Sequence, residues 1–68
     1  MKVGTLFKYR YPYGTHELKY GVIIDELNDK IETLVVQWIG DGSPPYKATR
    51  PDMINLLKSG SEESGIIA

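Results

Sequence analysis

The chain has 68 residues, no cysteine and a formal net charge of −1. One domain is the most that this length holds, and such a domain buries only about 60% of its unfolded surface. A disulfide framework and a thiolate metal site are excluded, and apolar runs of about four residues are far too short to span a membrane.

Charge is unevenly spread along the chain. Residues 1–20 carry +3, residues 21–44 carry −4, residues 45–58 carry +2, and Glu62 and Glu63 add −2. This blockwise pattern is compatible with a two-sided surface. No apolar segment follows Lys2, so no signal peptide is expected.

In chain order, "VGTLFKYR" alternates and predicts a first strand over Val3–Arg10. "YPYGTHE" follows, where Pro12 and Gly14 mark a loop. "KYGVIIDEL" is β-branched in its middle and predicts a second strand, and Asn28 and Asp29 suit a tight hairpin turn after it. "IETLVVQWI" is the strongest strand signal in the chain. Its more apolar face, Leu34, Val36 and Trp38, is placed inward. "TLVVQWI" carries no charge, and Glu32 and Asp41 flank it as gatekeepers against aggregation. "GDGSPP" is a loop and "YKATR" a short fourth strand. Pro51 suits a first helical position, so "PDMINLL" predicts one helical turn leading into a last short strand. "SGSEESG" is small, polar and acidic, and is expected to be disordered. The expected core is Val3, Leu6, Phe7, Ile23, Ile24, Leu34, Val36, Trp38, Met53, Ile54, Leu56 and Leu57. Short strands separated by turn signals point to a small all-β barrel.

Four groups of residues carry a family resemblance. They are Val3, Gly4, Leu6 and Phe7; Gly21, Val22 and Ile23; Val36 and Trp38; and Asp52, Met53 and Leu56. In this order the chain resembles the small SH3-like barrels, of the short kind common in tailed phage genomes. The resemblance covers roughly residues 2 to 58. It implies an all-β, five-stranded SH3-like barrel over residues 1–58 with one short helical turn near the C-terminus, and composition adds a flexible acidic tail over 59–68. It also implies a cytoplasmic protein, in the host cytoplasm or the virion if phage-encoded. The chain departs from the peptide-binding SH3 pattern. Its first loop is basic and aromatic, with Glu17 the only acid, and its single Trp38 ends a strand. Gly21-Val22-Ile23 fits the glycine step of KOW-type RNA-binding barrels, but the basic glycine loop before it is missing.

Catalytic and metal chemistry find little to stand on. His16 is the only histidine and has no cysteine to join it at a zinc ion. Asp25 and Glu26 are adjacent on a strand, so they point to opposite faces and do not form a carboxylate pair. The serines lack a matching base, and "GDG" has no following Lys-Ser/Thr for a phosphate loop. Thr49, Pro51 and Asp52 read as a helix cap. No enzyme activity, cofactor or metal is therefore assigned.

The aromatic residues are the one feature that points to function. Tyr11, Tyr13, Trp38 and Tyr46 are placed together at one end of the barrel, where they either brace the loop or form a contact surface. The leading expectation is a binding or assembly module for an unidentified protein partner, as a monomer or homodimer. The alternative is a nucleic-acid-binding barrel in which Lys8, Arg10, Lys19, Lys47 and Arg50 contact phosphates and Tyr11 or Tyr13 stacks on bases. The pI of about 5.7 opposes it, because such domains usually lie above about 9. A third expectation is a modulator of a larger enzyme that uses the acidic segment from Asp25 to Glu32.

Overall fold

The computed structural model describes all 68 residues. Its elements are β1 (Leu6–Tyr9), β2 (Lys19–Glu26), β3 (Thr33–Ile39), β4 (Tyr46–Thr49), α1 (Arg50–Ser59) and β5 (Gly65–Ile66). The strands form one antiparallel sheet in the order β4-β3-β2-β1-β5. The fold is thus mostly β, with the five strands expected, but the sheet is not closed into a barrel. β4 and β5 are its two edges and do not pair with each other. The helix supplies Met53, Leu56 and Leu57 to the core, so side-chain packing covers the face that strand closure would otherwise enclose.

Only Phe7, Ile23, Leu34, Val36 and Met53 are fully buried apolar side chains. β3 follows the predicted alternation. Leu34 and Val36 lie in the core, and Trp38 packs against it from the same face. β2 breaks its alternation once. Ile23 pairs with Val36 and Asp25 with Val35, so Ile24 is an extra, bulged residue. Ile24 follows buried Ile23 and so points to the opposite, exposed face, which corrects its expected place in the core, and the bulge keeps Asp25 on that outer side as well.

Gly21 has a packing reason. It pairs with Phe7 on one side and Trp38 on the other, and the tip of the Phe7 ring occupies the space where its Cβ would be. A Cβ at Gly21 would sit 2.4 Å from Phe7 Cζ, closer than any real contact. The glycine that suggested a KOW-like step is the seat of a core aromatic ring.

Three further expectations are corrected. First, β1 starts at Leu6 rather than Val3. Thr5 N–H donates to the Lys2 carbonyl and Gly4 takes φ +91°, so Val3 sits in a turn and is exposed. Second, the helical turn is a ten-residue helix. Thr49 and Asp52 cap it reciprocally. The Asp52 N–H donates to Thr49 Oγ1 at 3.2 Å, and the Thr49 N–H to Asp52 Oδ2 at 3.4 Å. Met53, Leu56 and Leu57 then share one face at i, i+3 and i+4, which leaves Ile54 exposed on the other side. Third, the last strand lies beyond the helix, inside the segment read as a tail. Phe7 pairs with Ile66 and Lys8 with Gly65.

The segment before β5 is fastened to the end of β1. Arg10 N–H donates to Ser64 Oγ at 2.9 Å, Ser61 N–H donates to the Arg10 carbonyl at 2.9 Å, and Arg10 pairs with Glu63 at 2.6 Å. Gly60 allows this approach, because a Cβ there would meet Ser64 Oγ at 2.3 Å and Tyr9 Cε1 at 2.8 Å.

Candidate functional site

Period two carries Phe7 and Tyr9 to the same face of β1 as Trp38 on β3. Phe7 meets the indole edge-on, with ring centroids 5.2 Å apart and planes at 77°. Tyr9 stands 6.4 Å from it at 58°. Trp38 is therefore held from the core side by a buried ring, and with Tyr9 it makes an open corner at the end of the sheet. The loop between β1 and β2 brings in the remaining wall. Tyr11 stacks edge-on against His16 at 5.0 Å and against Tyr13 at 5.6 Å. Tyr9, Tyr11, His16, Glu17, Lys19 and Trp38 line a cavity of about 330 Å³.

The four residues expected to cluster are thus brought together in part. Tyr11 and Trp38 line the same cavity. Tyr46 lies beside Trp38, and partial burial pushes its phenol above the ordinary value while the indole offsets some of that rise. Tyr13 joins only through Tyr11 and is 72% exposed. Sequence reasoning left Tyr9, His16 and Glu17 out of the site. The signal for Tyr9 was its position two residues after Phe7; nothing local marked the other two.

The basic set does not form one surface. Arg10 is paired with Glu63, and its Nε is buried without a partner. Arg50 donates to the Met1 carbonyl and faces Glu26 at 3.7 Å and Glu32 at 3.9 Å. Lys8 pairs across to Tyr20, whereas Lys47 lies opposite Val35 near the far end of the sheet. Lys19 lies near Asp41, whose carboxyl is held below its usual value first by the Ser43 N–H and to a smaller degree by Lys19.

The opposite end of the sheet holds a polar cleft of about 270 Å³ lined by Glu26, Asp29, Glu32, Thr33 and Arg50 among others. Its acids are occupied. Glu26 accepts from the Val3 N–H at 2.8 Å and faces Arg50. Asp29 accepts from the Thr33 hydroxyl at 2.6 Å and from the Thr33 N–H at 2.9 Å, which together hold its carboxyl below the usual range. No group of three or more His, Asp or Glu residues is arranged to hold a metal ion. No helix is long and apolar enough to cross a membrane.

Compared with protein-family models, curated proteins and solved structures, the chain matches none of them.

Proposed function

We propose that this chain is a small non-enzymatic binding or assembly module that engages a protein partner through the aromatic end of its sheet. The observation that carries this reading is the placing of Tyr11 and Tyr46 by Trp38, with Tyr13 stacked on Tyr11, all three tyrosines exposed by more than a third. Tyr and Trp offer large contact area with a polar handle and few rotamers to freeze, which is why they dominate binding hot spots. Tyr46 opens β4, and the far side of β4 is an unpaired strand edge that begins at this ring. Such an edge adds main-chain pairing as a second mode of recognition. The SH3-like reading is supported by connectivity: a meander from β1 to β4, a helix, then a short β5 beside β1. The open edges depart from that family pattern. A phage origin and a place in the host cytoplasm or the virion belong to this proposal.

The test is capture of the partner from the native source on immobilised protein. Tyr13→Ala with Tyr46→Ala is expected to abolish capture while the circular dichroism spectrum stays that of the parent. Undiminished capture overturns the reading. The nucleic-acid alternative has lost two of its five cations to internal partners, Arg10 and Arg50. It requires binding that weakens steeply with salt. The third alternative, an enzyme modulator acting through Asp25 to Glu32, has Asp29 and Glu32 turned to partners within the chain.

A further inference from the structure

Resting on that reading, we propose that residues 60–68 are a strap that sets the shape of the aromatic end, so that docking of β5 and engagement of the partner favour each other. The loop that supplies Tyr11, Tyr13 and His16 has little else to hold it. Residues 11–18 make no hydrogen bond within the chain, and the ring of Tyr11 stacks only on rings of the same loop. The loop is anchored at Arg10, which stands between the cavity residues Tyr9 and Tyr11. The strap takes both backbone groups of Arg10. Its N–H donates to Ser64 Oγ at 2.9 Å, and its carbonyl accepts from the Ser61 N–H at 2.9 Å and the Ser64 hydroxyl at 3.4 Å. Glu63 holds the guanidinium at 2.6 Å. Tyr9 is held as well. A Cβ on Gly60 would lie 2.8 Å from Tyr9 Cε1, so the backbone of the strap touches this ring.

The strap is built to come away as a piece. The hydrophobic core draws no side chain from residues 60–68, and Ile66 and Ile67 are both about half exposed. Residues 61–64 form a turn of their own, in which the Ser64 N–H donates to the Ser61 carbonyl at 2.9 Å and the Glu63 N–H to Ser61 Oγ at 3.3 Å. Beyond it, β5 is two residues long. A segment with few buried contacts opens at a fraction of the cost of global unfolding. In the open form the core stands, but Arg10 loses its partners and the loop its fixed start. A partner that needs Tyr11 in place therefore binds the docked form better, and by linkage its binding holds the strap down.

The test is amide hydrogen exchange and ring NMR on the full chain. The Leu6, Arg10, Ser61 and Ile67 amides donate across the strap's contacts. They are expected to open together, with one shared protection lower than that of the β2–β3 amides. Ser64→Ala removes the hydroxyl that Arg10 uses and lies outside the core. It should quicken exchange at all four amides about fivefold, the scale of one hydrogen bond. The Tyr9 and Tyr11 ring resonances should shift with it, and partner capture should fall. The strap is overturned if the Arg10 amide opens independently of Ile67. It is also overturned if Ser64→Ala leaves exchange unchanged, or quickens it while the Tyr9 and Tyr11 rings stay as in the parent. Its failure is separable from failure of the binding reading. Capture that needs Tyr13 and Tyr46 but is indifferent to Ser64→Ala sinks the strap's control and leaves the surface. Shared opening and shifted rings, with capture indifferent to those tyrosines, sink the surface and leave the strap as the setter of the loop.

Discussion

The two ends of the sheet use their side chains in opposite ways. At the end where β2 meets β3, the charged groups turn to partners within the chain. Arg50 ties the Met1 carbonyl, Glu26 and Glu32 together, and Asp29 holds Thr33 through two of its groups. At the other end the rings of Tyr11, Tyr13 and Tyr46 face solvent around Trp38, and Glu17 makes no ion pair. The polar end is a clasp whose interactions are used up in holding the chain. The aromatic end offers interactions that folding leaves unused, and such groups are where a binding function is to be sought.

That contrast is open to attack at three points. The largest effect is expected from Gly21→Ala, which drives a methyl group into Phe7 and through it disturbs Trp38. Overpacking of this kind costs roughly 1–3 kcal/mol. Urea denaturation should show the loss, and partner capture should fall with it, because Phe7 braces the indole. A smaller effect is expected from Arg50→Gln, which breaks the clasp for about 1–2 kcal/mol. Here the urea midpoint should drop while capture by the folded protein is unchanged. If capture is lost as well, the two ends are not separate in function.

The smallest effect is a pH dependence at the clasp. Thr33 holds Asp29 below the ordinary carboxylate value. Its contribution to stability is thus fully present above the unfolded value of about 3.9 and is lost as pH falls through the lowered folded value. The gap in urea midpoint between the parent and Asp29→Asn should close on acidification from about pH 5 to pH 2. A gap that stays constant would mean that the carboxylate charge is not what stabilises Thr33.

Much of the sheet was legible because β2 and β3 are β-branched and alternate. What escaped depended on contacts between distant residues or on single backbone steps. In "GVIID" two isoleucines stand side by side, and composition alone does not say that period two buries Ile23 and exposes Ile24. The helix was read as one turn because "INLL" looked like a strand, although Lys58 in its last turn and Gly60 just past its end are ordinary stop signals. The acidic composition of residues 59–65 hid β5, whose docking depends on Arg10, Ser64 and a glycine at position 60. At the site, Trp38 and Tyr46 were within reach because adjacent strands carry them. The direction of Tyr13 was not, because period two ends where the strand does. The engagement of Arg10 and Arg50 was invisible, since their partners Glu63, Glu26, Glu32 and Met1 are remote in the chain or unmarked by any motif.

The pairing of β5 with β1 also sets an order of assembly. β1 to β4 form a meander in which each strand meets its neighbour in sequence, so these pairings close short loops early. Phe7 and Ile66 are joined only after almost the entire chain has been gathered in, and a loop of that length carries the largest closure entropy in the molecule. Two residues of strand, with Leu6 exchanging hydrogen bonds with Ile67 and Ala68, are a slight reward for that step. The seam beside β1 is therefore expected to form last, and its amides should exchange faster than those of the β2–β3 pairing.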